Sequence, residues 1–155
     1  CCTSTRFGEP ATWRRRAEDV RAHGTGLVAD AVIDRWFTAG FVAENPEVAS
    51  RMRSMISETP SAGYARCCEA LAAWDFGADL ADVRAPTLVI AGAEDPAAGP
   101  EHARHIANGI SGARLEILDG AAHLATYERA DRVNELVRAH LGTPGDSRSN
   151  ISSSM

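Results

Sequence analysis

Apolar side chains recur every three or four positions through the first half of the chain, which is the period of helices with one buried face. Proline near the start of a segment and glycine just past its end mark the boundaries of the predicted helices. Gly40 is expected to break the second helix. The pattern predicts four short amphipathic helices, over residues 10–23, 26–37, 46–57 and 61–74.

The second half of the chain has a different pattern. Residues 86–92 are a continuous apolar run bounded by proline and glycine, which is typical of a strand buried on both faces. Residues 113–118 alternate between polar and apolar side chains, as a second strand does. Helices are predicted after each strand, over residues 101–109 and 127–141. Two strand-helix units in succession indicate neighbouring parallel strands.

The order of elements predicts an α/β fold in which a helical region precedes the last two strand-helix units of a doubly wound parallel sheet. Two strands alone cannot form a stable parallel sheet buried on both faces, so further strands are expected upstream of Cys1. The predicted segments are the end of a core strand (residues 1–8), a helical cap (9–77), the C-terminal part of the sheet core (78–142) and a disordered tail (143–155).

Composition and charge exclude several classes of protein. The chain has 155 residues, of which 45% are hydrophobic and 24% charged, as in globular domains. No apolar run approaches the roughly 18 residues of a membrane span, so no membrane partner is expected. The net charge of −5 argues against a nucleic-acid partner.

The four cysteines form two adjacent pairs, Cys1–Cys2 and Cys67–Cys68. Neighbouring cysteines rarely bond to each other, and the set lacks the C-x2-C spacing of a zinc site. We therefore expect reduced, mostly buried thiols in a cytoplasmic protein, with no metal and no cofactor.

An acid and a histidine follow the two predicted strands. Asp95 comes just after the first strand and His123 just after the second. The carboxyl ends of parallel strands lie at one edge of a sheet, so the two side chains are expected to meet there. A carboxylate that orients a histidine is the arrangement that activates a serine nucleophile. Glu94 is the neighbouring acid, but Asp95 is favoured because it projects further beyond the strand.

The nucleophile itself is missing from the sequence. In α/β-hydrolases the serine precedes the acid and the histidine, on a G-x-S-x-G turn, and no such turn occurs here. We expect the serine upstream, together with the missing strands. Taken singly, Asp95 is also compatible with a turn before Pro96, and His123 with a helix cap or a packed side chain. Their matching positions after consecutive strands favour the catalytic interpretation.

Several segments resemble a known family. Residues 86–96, and Ala122-His123-Leu124 with Glu128, resemble the acid and histidine loops of α/β-hydrolases in general. Other segments resemble the cap of 3-oxoadipate enol-lactonases more specifically: residues 2–8, Trp13, 35–38, Phe41 and 63–71. The resemblance covers about residues 1–141.

The resemblance implies hydrolysis of 3-oxoadipate enol-lactone to 3-oxoadipate in the degradation of aromatic compounds, with Asp95 as the triad acid and His123 as the general base. The partners it implies are the small lactone and the upstream part of the same hydrolase. Because this lactone carries a carboxylate, its pocket should combine apolar walls with cationic donors. Arg35 and Trp36 are the candidates for substrate binding, although a solvated arginine beside a packed tryptophan is the alternative.

Two other functions stay open on the sequence. One keeps the fold and the triad but changes the substrate, as in a carboxylesterase or a haloperoxidase-type hydrolase. The other is a non-catalytic helical binding module, which would hold Asp95 and His123 far apart.

Overall fold

The helical cap forms the first half of the fold in the computed structural model, which describes residues 3–142. Residues 3–9 carry neither helix nor strand. The cap helices are α1 (Pro10–His23), α2 (Ala29–Trp36), α3 (Ala39–Glu44), α4 (Pro46–Ser57) and α5 (Ser61–Ala73). Short 3-10 turns, Thr25–Val28 and Gly77–Asp82, precede α2 and follow α5. The predicted tail and the first cysteine pair lie outside the described residues.

Two parallel strands and their helices form the second half, in the predicted order. These elements are β1 (Leu88–Gly92), α6 (Pro100–Gly109), β2 (Arg114–Leu118), α7 (Ala125–Glu128) and α8 (Ala130–Leu141). The strands pair in parallel, with Leu88 opposite Arg114 and Gly92 opposite Leu118. The two carboxyl ends therefore lie side by side.

Alternate side chains of β1 face two different layers of helices. Val89 and Ala91 pack with Ala103 and Ile106 of α6 on one side of the sheet. Ile90 belongs to a cluster on the other side, which includes side chains of α8. Both faces of β1 are covered, which explains why its sequence is continuously apolar rather than alternating.

The cap has its own apolar core. Its larger cluster joins α1, α2 and α4 through buried side chains: Val20, Val28, Ala29, Val32, Ile33, Phe37, Ala49, Met52 and Ile56. A smaller cluster of Ala17, Ala65 and Cys68 joins α1 to α5. These three side chains are small, so the two helices approach closely along their length.

Two local predictions were wrong. Gly40 does not break a helix but lies inside α3. The Thr38 hydroxyl accepts a hydrogen bond from the Phe41 backbone N–H, and this cap allows a helix to begin there. The predicted closing helix is divided at Arg129, whose Nε donates to the Asp119 carbonyl oxygen at 2.9 Å. Of the cysteines within residues 3–142, Cys67 is exposed and Cys68 is buried.

None of the helices within residues 3–142 combines the length and the apolar character that crossing a bilayer requires.

Candidate active site

Asp95 and His123 are in contact at the carboxyl ends of the two strands. The Asp95 Oδ2 atom lies 2.9 Å from the His123 Nδ1 atom. The Asp95 side chain is fully buried, whereas the His123 side chain is 21% exposed. An ionised carboxylate can only accept a hydrogen bond, so Nδ1 carries the proton and Nε2 keeps its lone pair. This pair, the acid-histidine dyad, can take a proton at Nε2.

Backbone amides hold the acid in place. The second oxygen of Asp95, Oδ1, accepts hydrogen bonds from the N–H groups of Ala97 at 2.8 Å and Ala98 at 3.0 Å. Burial, the largest influence, acts to raise the pKa of Asp95, but the hydrogen bonds from His123, Ala98 and Ala97 outweigh it and the pKa is lowered. Asp95 is therefore a carboxylate at neutral pH, as an acid that stabilises an imidazolium must be.

A glycine allows the two loops of the dyad to meet. A Cβ atom on Gly92 would lie only 2.2 Å from the Ala122 carbonyl oxygen, far inside van der Waals contact. Two residues after this glycine, the backbone N–H of Glu94 donates to the Ala121 carbonyl oxygen at 2.9 Å. The acid loop is thus bonded to the histidine loop as well as touching it through the side chains. Glu94 itself is exposed.

Glu128 connects the histidine loop to the cap. This buried carboxylate accepts a hydrogen bond from the Ala122 N–H at 2.6 Å through Oε2. Its Oε1 accepts from the Thr38 N–H at 2.8 Å and from the Thr38 hydroxyl at 2.7 Å. On the other side of His123, the Leu124 N–H donates to the Trp36 carbonyl oxygen at 2.8 Å. The sequence indicated Glu128 only through the family resemblance, without a role for it.

Replacing Glu128 with glutamine is expected to destabilise the full-length protein by about 3 kcal/mol, because the amide brings hydrogens into a site built from three donors. Chemical denaturation of wild type and variant measures the difference. The matched control is Glu135→Gln on α8, where the carboxylate is exposed and pairs with Arg132 at the surface. Equal stability of the two variants would show that the buried carboxylate has no special role.

His123 also lines a cavity of about 670 Å³ between the cap and the core. Arg35 and Trp36, the predicted substrate-binding residues, lie on its wall, and Asp95 lies behind His123. The structure therefore brings all four predicted site residues to one region.

Arg16, which is not among the residues predicted from the sequence, lines the same cavity. A signal was present, because Arg16 stands three positions after Trp13, so both residues lie on one face of α1. Within residues 3–142, no group of three or more His, Cys, Asp or Glu side chains is arranged to hold a metal ion.

Comparison with known proteins gives a consistent family assignment. A model of the alpha/beta hydrolase family matches residues 1–136. The chain is 35% identical over 137 residues to 3-oxoadipate enol-lactonase 2 of Acinetobacter baylyi, covering 88% of this chain and 51% of that protein. It is 33% identical over 120 residues to 3-oxoadipate enol-lactonase 1 of the same organism, covering 77% and 45%. The chain thus spans about half the length of these curated relatives.

Solved structures show the same likeness. An enol-lactonase from Burkholderia xenovorans superposes with a TM-score of 0.87 at 39% identity, covering 91% of this chain and 54% of that one. A thermophilic esterase from Thermogutta terrifontis, solved with malate bound, gives a TM-score of 0.84 at 30% identity, covering 91% and 53%.

Proposed function

The chain belongs to the α/β-hydrolase family, and on that premise we propose that the full-length protein hydrolyses 3-oxoadipate enol-lactone to 3-oxoadipate. One observation carries the proposal: the acid-histidine dyad lies beside a cavity whose wall includes arginine side chains. A lactone with a free carboxylate needs both a base for ester hydrolysis and a cation for its charge. The relatives named enol-lactonase support the same substrate.

The proposed reaction uses His123 twice. In the first step, Nε2 of His123 takes the proton of a serine hydroxyl supplied by another part of the full-length protein, and the serine attacks the lactone carbonyl. The ring ester bond breaks, and the enol oxygen leaves with the proton held by His123. In the second step, His123 takes a proton from water as the water oxygen attacks the acyl-serine carbonyl. The serine oxygen then leaves and takes this proton back from His123, and the released enol tautomerises to the 3-oxo acid. Asp95 keeps Nδ1 protonated throughout and stabilises the imidazolium.

We assign this reaction to the degradation of aromatic compounds in the cytoplasm. The G-x-S-x-G turn is absent from the 155 residues, so this chain by itself is expected to show negligible hydrolysis.

Arg35 and Trp36 are proposed to bind the substrate from the cap. Arg35 is exposed at the cavity wall and Trp36 is half-buried beside it, which suits a cation and an apolar surface for one small molecule.

We expect Arg35→Ala to raise KM more than it lowers kcat in the full-length enzyme, because a residue that only holds the substrate contributes equally before and during reaction. Steady-state kinetics on the lactone measures both constants. The control is Arg51→Ala, since Arg51 is exposed on α4 and is not part of the cavity wall. A fall in kcat with unchanged KM would contradict a purely binding role for Arg35.

A carboxylesterase with a different substrate is the second candidate. The observation that favours it is the likeness to the Thermogutta terrifontis esterase, whose TM-score of 0.84 is close to that of the enol-lactonase. A haloperoxidase-type hydrolase has weaker support, because the bromoperoxidase among the similar structures is only 20% identical and shares the fold.

The deciding experiment compares two substrates on the full-length protein. We expect kcat/KM to be much higher for 3-oxoadipate enol-lactone than for a neutral ester such as 4-nitrophenyl acetate. A preference for the neutral ester would replace the proposed function with the esterase, and failure to hydrolyse either would contradict both candidates.

A further inference from the structure

We propose that Glu128 is a positioning residue for the reaction: together with Thr38 of the cap, it fixes the backbone that carries His123. Asp95 then sets the tautomer of the imidazole, and the cap sets where its Nε2 atom lies. This role rests on the proposed function only in that His123 is taken as the base that activates a serine. It adds a requirement, which is that the cap must be docked correctly for that base to act.

The residue directly before His123 is bonded to the cap through Glu128. The Ala122 N–H donates to Oε2 of Glu128 at 2.6 Å. The other carboxylate oxygen, Oε1, accepts from both the N–H and the hydroxyl of Thr38, at 2.8 and 2.7 Å. A buried carboxylate is costly unless its oxygens are bonded, and hydrogen bonds to an ionised acceptor are roughly twice as strong as those between neutral groups. This link therefore fixes the backbone of Ala122 relative to the cap.

The residue directly after His123 is bonded to the same part of the cap. The Leu124 N–H donates at 2.8 Å to the carbonyl oxygen of Trp36, which stands two positions before Thr38. Between these two cap residues, Phe37 is 3% exposed and belongs to the larger apolar cluster of the cap. This segment is thus anchored in the packed core of the cap. A shift of the cap would therefore shift the backbone on both sides of His123.

The dyad by itself does not determine where Nε2 of His123 lies. The contact between its Nδ1 atom and Oδ2 of Asp95, at 2.9 Å, selects the tautomer and limits rotation of the ring. Nε2 is at the far end of the ring from the backbone, so a change in the backbone is transmitted to it along the whole side chain. Displacing a reacting group by about 1 Å can lower a rate by about 10²-fold. The backbone bonds beside His123 thus have a direct effect on proton transfer.

Glu128 and Thr38 act through the backbone and not on the substrate. Within residues 3–142, the cavity wall includes His123 but neither of these two residues. Their loss should therefore lower kcat and leave KM nearly unchanged, which is the opposite of the effect expected for Arg35. A change that only weakened the fold would alter neither constant for the folded molecules.

The test measures kcat and KM for the lactone in four full-length variants, after chemical denaturation has established the stability of each. We expect Glu128→Gln to lower kcat about 10- to 100-fold, with KM within about twofold of wild type. Thr38→Val removes the hydroxyl donor but keeps the N–H, and it should lower kcat by up to about tenfold. Thr38→Ser keeps both donors and should have nearly wild-type kcat.

The matched control is Leu80→Ala. Leu80 is buried in the cluster against α6 and does not line the cavity that contains His123. Its truncation should destabilise the fold without lowering kcat. Equal kcat values in Glu128→Gln and Leu80→Ala would overturn the positioning role, and so would a loss in Thr38→Val that Thr38→Ser shares. The threonine variants keep the test decisive if the glutamine variant does not fold, because they change few atoms.

A fluorophosphonate reagent separates the positioning role from the choice of substrate. It reacts with a serine that a histidine activates: the serine oxygen displaces fluoride from phosphorus while His123 takes the serine proton. If wild type reacts with this reagent but does not hydrolyse the lactone, the proposed substrate is wrong. A slow reaction of Glu128→Gln beside a fast reaction of Leu80→Ala would then still support the positioning role. Lactone hydrolysis with equal kcat in these two variants would reject that role and keep the proposed function.

Discussion

His123→Ala is expected to lower kcat of the full-length enzyme by about 10⁵- to 10⁶-fold, the loss seen when a triad histidine is removed from a serine protease. In the structure, Nδ1 of His123 is bonded to Asp95, which leaves Nε2 as the site that takes and returns the proton. Alanine removes both functions, and the serine hydroxyl is then a poor nucleophile at neutral pH. Single-turnover and steady-state assays on the lactone measure this loss.

The control for this variant is His23→Ala. His23 is exposed on α1, and within residues 3–142 its ring bonds only to the Asp19 carbonyl oxygen of its own helix. Its replacement should leave kcat unchanged. Turnover by His123→Ala within tenfold of wild type would end the proposed mechanism.

Asp95→Asn is expected to lower kcat by about 10⁴-fold, because an asparagine amide favours the imidazole tautomer with its proton on the wrong nitrogen. The matched control is Glu94→Gln, which neutralises the exposed acid directly before it in the chain. Comparable losses of activity in the two variants would contradict a specific role of Asp95 in catalysis.

A second measurement on Asp95→Asn uses pH. The pKa of Asp95 is lowered in the folded protein, so its charge stabilises the fold fully above the pKa of an unfolded aspartate, about 3.9. That stabilisation is lost as the pH falls through the lower, folded-state value. The difference in unfolding free energy between wild type and variant should therefore shrink below about pH 4. If this difference in unfolding free energy did not depend on pH, the charge of Asp95 would not be what stabilises the fold.

The positions of the strands and of the dyad could be predicted because they depend on local patterns. The apolar run around Val89 and Ile90 identifies a strand buried on both faces, and a residue that directly follows a parallel strand must lie at the sheet edge. Asp95 and His123 both meet that condition, so their positions in the sequence were sufficient to predict that they lie together.

Glu128 could not be placed in this way. An acidic side chain near the start of a predicted helix normally faces solvent, and burial is favourable here only because Thr38 and Ala122 supply three donors. One of those residues is 90 positions earlier in the chain. The break at Arg129 has a similar origin, since its partner is the backbone of Asp119. Interactions over such distances leave no periodic signal in the sequence.

The position of Arg16 on the cavity wall could not be predicted from the sequence either. Its spacing from Trp13 could be read from the helix, but its place on the cavity depends on how α1 packs against α5. The small residues that permit that close packing, Ala17 and Ala65, do not by themselves indicate which side chain beside them will line the cavity.

The hydrogen bonds on both sides of His123 have a consequence for making chimeras of related hydrolases. Ala122 is tied to the cap through Glu128 and Thr38, and Leu124 is tied to it through the Trp36 carbonyl oxygen. A cap transplanted from a relative without these partners would leave the buried Glu128 carboxylate with too few donors, and this carboxylate is bonded to the residue next to the histidine. Recombination crossovers should therefore keep the segment from Trp36 to Thr38 and the loop up to Glu128 in the same parental sequence.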